Sequence, residues 1–275
     1  MGRERIYIVV KTYPTISEKY AELVCTAGVL EDGNWIRLYP VPFRKLGNDQ
    51  RYPKFSWIEL EIEKNPSDFR PESFRPVNLD DMIIHEEPKK SKTDWIKRKE
   101  IIFRNKKIYT NLEELIDDAK TKKTSLAIFK PTKIIDFTHE KTDREWDKRT
   151  IKILEAKALQ PSLFEEAKFE LDLVQKIPYK FRYKYLDDSG RQSHMMVEDW
   201  ETGMLYLNCL ARVDRNEKLA IDKVKQKYMD EFSKKDIHFF LGTTLQHHNI
   251  APNPFMIIGV LPLPKMAEAI PASLF

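Results

Sequence analysis

The stretch that most constrains the fold runs from residue 21 to 46. There an apolar run, an Asp32-Gly33 turn and a returning run Trp35-Ile36-Arg37-Leu38-Tyr39 spell out a β-hairpin. Asp-Gly accepts the positive φ angles that a tight hairpin turn requires. Side chains on a strand alternate between its faces, so Ile36 and Leu38 share one face and Trp35, Arg37 and Tyr39 share the other. A core takes the first face readily and resists the second. Two aromatics flanking a guanidinium instead offer a surface on which a base stacks while the cation meets a phosphate.

The same alternation recurs along the chain. From residue 55 to 64, Ile58, Leu60 and Ile62 face one way and Trp57, Glu59, Glu61 and Glu63 the other, which describes a strand with one buried and one solvated side. Strands over 125–129 and 133–137 flank Pro131. A second hairpin turns at Asp187-Asp188-Ser189-Gly190 and carries Tyr179, Phe181, Tyr183 and Tyr185 on one face, with Lys180, Arg182 and Lys184 on the other. Its aromatics suit a barrel interior as well as a binding surface. Strand-like segments at 169–174, 237–241 and 255–260 follow the same logic.

Helices are fewer. Asn111 with Glu114 forms a capping box before Leu112, Leu115 and Ile116, and Asp214 with Glu217 forms another before the stripe Ala220, Val224, Tyr228 and Phe232. A helix over 93–103 buries Trp95, Ile101 and Ile102, and a patchy stripe through Trp146, Ile153 and Leu154 ends at Pro161. Many short strands without a strand-helix-strand rhythm argue for an α+β protein of two β-rich, OB-like barrel halves with peripheral helices. The charged stretch 138–160 places the junction near residue 140, giving an N-terminal β-rich domain over 1–140 and a C-terminal α+β domain over 141–275.

Among the 275 residues are 47 Lys and Arg against 43 Asp and Glu, a net charge of +4 that permits a nucleic-acid partner without demanding one. No apolar run reaches the ~20 residues that span a bilayer. The N-terminus lacks a signal-peptide pattern, so a cytoplasmic protein without membrane association is expected. Cys25 and Cys209 stand far apart in apolar contexts and read as two thiols. Basic residues concentrate between Lys89 and Lys107, including Lys97, Arg98 and Lys99, either as a solvated helix face or as a nucleic-acid footprint. The echo Phe69-Arg70-Pro71 and Phe74-Arg75-Pro76 reads as an extended loop with two arginines anchored by aromatic neighbours.

The catalytic inventory is thin: no phosphate-binding glycine loop, dinucleotide fingerprint or nucleophile elbow is present. The one constellation worth testing is His194, Glu198, Asp199, His247 and His248, which would need to converge to hold a divalent metal and activate water against a phosphodiester. That balance favours a binding protein without a cofactor over an enzyme.

A resemblance adds to these readings. Cys25-Thr26-Ala27-Gly28 followed by Trp35-Ile36-Arg37, within residues 5–40, resembles the start of dual OB-fold proteins of bacterial conflict and defence systems. It implies two small β-barrels that bind nucleic acid, as a sensor or targeting subunit. The leading expectation is non-catalytic binding of single-stranded or distorted DNA or RNA, with Trp35 and Tyr39 stacking and Arg37, Arg44, Arg70 and Arg75 on the backbone. Lys97, Arg98 and Lys99 serve as a peripheral anchor, and Lys180, Arg182 and Lys184 form a second track. The alternatives are a metal-dependent nuclease and a non-catalytic subunit that docks a partner protein.

Overall fold

A computed structural model describes residues 2–18, 21–85, 92–121, 124–158 and 173–265. The first half comprises β1 (Gly2–Lys11), β2 (Thr15–Ser17), β3 (Ala21–Leu30), β4 (Trp35–Val41), β5 (Trp57–Lys64), β6 (Ser73–Pro76) and β7 (Ile83–Ile84). Five of these strands close a barrel in the order β1-β3-β4-β6-β5 and back to β1. β1 makes the closure by serving two neighbours: residues 2–7 pair with β5 and residues 6–11 with β3. The β3–β4 hairpin turns where Asp-Gly demands it, with Gly33 at φ 89° and Asp32 Oδ1 accepting the Asn34 N–H at 2.8 Å. Alternation then fills the barrel with Ile6, Ile8, Ile36, Leu38, Ile58, Leu60 and Ile62.

After α1 (Lys92–Phe103), the second half comprises β8 (Ile108–Tyr109), α2 (Leu112–Lys120), β9 (Leu126–Phe129), β10 (Lys133–Lys141), α3 (Lys148–Ala158), β11 (Tyr179–Leu186) and β12 (Gln192–Val197). α4 (Trp200–Arg212), α5 (Glu217–Lys225), β13 (Asp236–Thr243) and β14 (Phe255–Leu263) complete it. Its sheet runs β10-β11-β12-β14-β13-β9-β8. β9 and β10 are separated only by Lys130-Pro131-Thr132, where proline has no N–H to give a ladder. Counted as one bent strand, they pair with β13 at one end and β11 at the other, as β1 does with β5 and β3. Both halves then share one strand order, and in each the third and fourth strands of that order meet in parallel, β4 with β6 and β12 with β14. The chain is therefore α+β with two OB-like halves. Tyr179, Phe181, Tyr183 and Tyr185 all point into the second barrel's core, so the aromatic face of that hairpin is packing.

Several sequence expectations shift. Residue 140 lies inside β10, with Glu140 opposite Lys180, and strand pairing changes sheets between β7 and β8. The charged stretch that suggested a junction is the solvated end of β10 followed by the surface helix α3. The N-cap of α5 is Asn216, which accepts the Leu219 N–H at 3.1 Å, because Asp214 and Arg215 adopt positive φ in the preceding turn. Ala220, Val224 and Tyr228 are buried as the stripe requires, and Asn111 caps α2 as expected. Pro161, the residues 169–172 and the tail 266–275 lie outside the described residues. Among the described residues no helix is long and apolar enough to cross a membrane.

The two barrels pack through their outer faces. Tyr7, Val9, Val10, Ala27 and Val29 of the first meet Leu126, Ile128, Phe240, Ile258 and Leu261 of the second, and Ile102 of α1 joins them. Each such aliphatic or Phe side chain contributes about 1.5–3 kcal/mol when removed from water, so separating the barrels is strongly opposed.

Across the same interface runs a polar clamp. Arg37 is 2% exposed, and its Nη1 donates to Ser125 Oγ at 2.7 Å and Ser73 Oγ at 3.3 Å. Its Nη2 donates to the Ser125 carbonyl at 3.1 Å. Glu72 accepts from the Ser125 N–H and hydroxyl, both at 2.8 Å, and Asp68 accepts from Ser73 Oγ at 2.7 Å. Asp68 also pairs with buried Arg70, whose Nη1 reaches the Thr243 carbonyl of the second barrel. Arg37 and Arg70 thus leave the set of nucleic-acid contacts. The face carrying Arg37 does point away from its own core, but the second barrel covers it.

Arg37→Ala strips the clamp: the Ser125 carbonyl and the Ser73 and Ser125 hydroxyls lose their guanidinium donor, and Glu72 and Asp68 lose a facing cation. Urea denaturation should show a loss of about 3–5 kcal/mol, where a surface arginine would cost almost nothing. At Gly28 an added Cβ would sit 2.7 Å from the Tyr7 carbonyl oxygen, so Gly28→Ala should lower the urea midpoint by the equivalent of about 1–3 kcal/mol with an unchanged slope.

Candidate nucleic-acid interface

Where the barrels part, a groove of about 460 Å³ opens between β4 and β6 on one side and β8 and β9 on the other. Trp35 and Phe74, both half-buried, come from the first barrel, and the mostly buried Tyr109 forms part of the second wall. Each ring carries a lysine: Lys106 Nζ lies 4.6 Å from the Trp35 centroid, Lys64 Nζ 4.0 Å from Phe74, and Lys107 Nζ 4.4 Å from Tyr109. Among the described residues Glu72 is the one carboxylate lining the groove, and both its oxygens are engaged by Ser125. The groove therefore presents three cations over aromatic rings, of which Lys107 also pairs with Glu114 and Asp118 beside it.

Local sequence explains each placement. Trp35 opens β4 directly after the Gly33 turn, and its ring meets Phe240 edge-on at 6.1 Å, which fixes its outer face beside the second barrel. Lys106 follows the end of α1 and donates to the Gly33 carbonyl, so the hairpin turn itself holds this cation over Trp35. Burial lowers the Lys106 ammonium from its ordinary value to about 8, with Asp32 and Glu72 pulling the other way. Lys107 is exposed and bonds Glu114 Oε1 at 2.7 Å.

The sequence-derived candidates scatter over several surfaces. Trp35 lines the groove, whereas Tyr39 is half-buried farther along β4 with its carbonyl accepting from Asn65 at 3.1 Å. Arg44 pairs with Glu22 at 2.7 Å, and exposed Arg75 pairs with Glu63. In the Phe69-Arg70 echo the expectation inverts, because Phe69 is exposed and Arg70 buried. On α1, Lys97 and Lys99 are exposed, while Arg98 is buried with its guanidinium 4.8 Å from the Phe55 centroid and is no surface anchor. Lys180, Arg182 and Lys184 share the outer face of β11 with His194 of β12, and Glu140 takes Arg182 at 3.1 Å. Lys64, Phe74 and Tyr109 were missed. The adjacent Lys106-Lys107 pair at the end of the basic run was the signal for the opposite wall.

The histidine and carboxylate constellation does not assemble. His194 Nε2 shares a hydrogen bond with Thr138 Oγ1 at 2.7 Å, and His247 Nδ1 bonds Thr244 Oγ1 at 2.8 Å. His248 is buried against Thr243 at 2.8 Å beneath Phe69. Asp199 is the N-cap of α4 near Lys54, and burial raises its carboxyl to about 6 against that cation. Among the described residues no group of three or more His, Cys, Asp or Glu is placed to hold a metal ion. These side chains stand at separate places in the fold, each with its own neighbours.

No curated protein matches the chain in sequence. A solved structure titled "Structure of murine DNA binding protein bound with ds DNA" is 10% identical with a TM-score of 0.32, covering 97% of this chain and 99% of that one, a likeness too low to support an argument. Residues 2–104 match a domain of unknown function, DUF8758. The two matched regions divide the chain just after α1, where strand pairing also changes sheets. Residues 108–275, well over half of the chain, match a second domain of unknown function, and the chain belongs to that family, DUF8757.

Proposed function

We propose that this protein binds single-stranded nucleic acid in the groove between its barrels. The observation that carries the reading is the triple pairing of Trp35, Phe74 and Tyr109 with Lys106, Lys64 and Lys107. A lysine resting on an exposed ring gains only ~0.5–1 kcal/mol, whereas a base stacked on an aromatic gains ~1–3 kcal/mol. An incoming strand therefore displaces each lysine from its ring at a net gain, and the freed ammonium meets the adjoining phosphate. Half-buried Trp35 and Phe74 do the stacking, with Tyr109 as the floor. Unpaired bases are required, since those of a duplex are already stacked on each other.

The resemblance of residues 5–40 to dual OB-fold proteins of bacterial conflict systems supports a finer reading, that of a nucleic-acid-sensing or targeting subunit in a prokaryotic defence assembly. Protection from phage should then fall when the gene is deleted and return with the wild-type chain but not with the Phe74→Ala chain.

Fluorescence anisotropy with labelled single-stranded DNA and RNA tests the groove. Phe74→Ala and Trp35→Ala should each weaken binding by about 1–3 kcal/mol with folding verified by thermal melting, and unchanged affinity in both would remove the assignment. Lys107→Gln should lessen the slope of log affinity against log salt by about 0.7. Because Lys106 titrates near 8, its cation is present at pH 7 and lost above that value. Affinity should thus fall between pH 7 and 9, and Lys106→Arg should flatten the profile.

A further inference from the structure

A second cavity, of about 190 Å³, lies where residues 13–15 of the first barrel meet the ends of β11 and β12. Its volume falls below the ~300 Å³ at which sites for whole small molecules begin, so it suits one flat ring system. Tyr13, Trp146 and Phe181 supply aromatic walls, and Lys176, Lys180 and Glu198 supply charge. The walls are pinned by their polar ends: Tyr13 donates from its hydroxyl to the Gln175 carbonyl at 2.6 Å, and Trp146 Nε1 donates to the Val174 carbonyl at 2.8 Å. Gly203 lets the Tyr13 ring close in, since a Cβ there would sit 2.3 Å from a ring carbon.

Glu198 is the group this cavity leaves unresolved. Its backbone is fixed, with the carbonyl accepting from the Tyr13 N–H at 3.0 Å and its own N–H donating to the Ile257 carbonyl at 2.8 Å. Its half-buried carboxylate makes no hydrogen bond to another described residue and faces the cavity's solvent. Burial raises its pKa while Lys180 opposes the rise and favours the ionised form. Glu198 is half-buried at the cavity, and an ionised carboxylate only accepts, so its two oxygens are open to a ligand entering there. A flat ligand that engages both must bring two adjacent N–H donors. Among the bases only guanine does so, through N1–H and the 2-amino group. Adenine and cytosine set a donor beside an acceptor, and uracil flanks its single donor with carbonyls. A guanidinium has the same donor fork, but Lys176 and Lys180 line this cavity and repel a cation while attracting a phosphate.

We propose that this cavity is a guanine-selective pocket for a base drawn out of the bound strand, with Glu198 accepting from N1–H and the 2-amino group and Lys180 facing the attached phosphate. The inference rests on the nucleic-acid reading above for the source of the base, and its chemistry is separable from the groove.

NMR titration of the full chain with GMP, AMP, CMP, UMP and N-acetylarginine amide tests it. GMP should bind about tenfold or more tightly than UMP, within what a bidentate contact supplies. Glu198→Gln, which swaps one acceptor for a donor at constant shape, should erase that preference while oligouridine still binds in the groove. Thr15→Trp, at an exposed position on the rim, should exclude GMP without touching Glu198. Equal affinity for the four monophosphates, a preference that survives Glu198→Gln, or tighter binding of the arginine amide would each overturn the proposal. Absence of any base preference in the wild-type chain, with oligouridine still bound, removes the cavity and leaves the groove. GMP selectivity in a chain that retains no oligonucleotide removes the groove and leaves the cavity.

Discussion

Burying a guanidinium between two barrels is tolerable only when its N–H groups find acceptors on both sides, and Arg37 meets that condition with Ser73 on its own barrel and Ser125 on the other. Replacing it with an apolar side chain would suit Ala27, opposite it on β3, and the apolar interface Ala27 joins, but would not fix how far one barrel slides along the other. Directional bonds do that. Ser125 immediately precedes β9, and Glu72 immediately precedes β6, so their mutual bonds hold the two walls of the groove at a set spacing. Trp35, two residues before Arg37 on β4, is thereby held at the groove with Lys106 over its ring.

The same strand logic builds each barrel and leaves different surfaces open. In both, one long strand changes partner midway, with a register shift between Ile8 and Val10 of β1 in the first and a full break at Pro131 in the second. The outer faces of β1 and β3 in the first barrel are spent on the interface. The equivalent face of β10, β11 and β12 is not, and there Lys180, Arg182, Lys184 and His194 stand beside Asp136, Thr138 and Glu140. Interleaved charge of both signs makes that face less attractive to a polyanion than the groove, where Lys64 and Lys106 rest on aromatic rings and Glu72 is engaged by Ser125.

Charge in this chain is mostly internal balance. Arg44, Arg70, Arg75 and Arg182 each have a carboxylate partner, and Lys54 stands between Asp199 and Glu201. The more exposed of these pairs, Arg75 with Glu63 and Arg182 with Glu140, contribute little to stability but do cancel the local field. What distinguishes Lys64 and Lys106 is a different resting place, an aromatic ring within hydrogen-bond reach of a backbone carbonyl. Such a lysine keeps its charge available to a ligand that replaces it on the ring.

The sequence by itself determined the strands, their inward faces and the turns, because alternation and Asp-Gly chemistry are local. Ile58, Leu60 and Ile62 are buried as their spacing requires, as are the aromatics of β11. It also isolated Trp35, Arg37 and Tyr39 as a face foreign to their own barrel's core. Only the tertiary structure decided what lies against that face. A second barrel turns Arg37 into an interior clamp, and a wall from β8 and β9 brings Tyr109, Lys106 and Lys107 to Trp35 from more than seventy residues away. Periodicity tells a side chain which way to point; it carries no term for another folded surface arriving from that direction, and here the arriving surface made the groove.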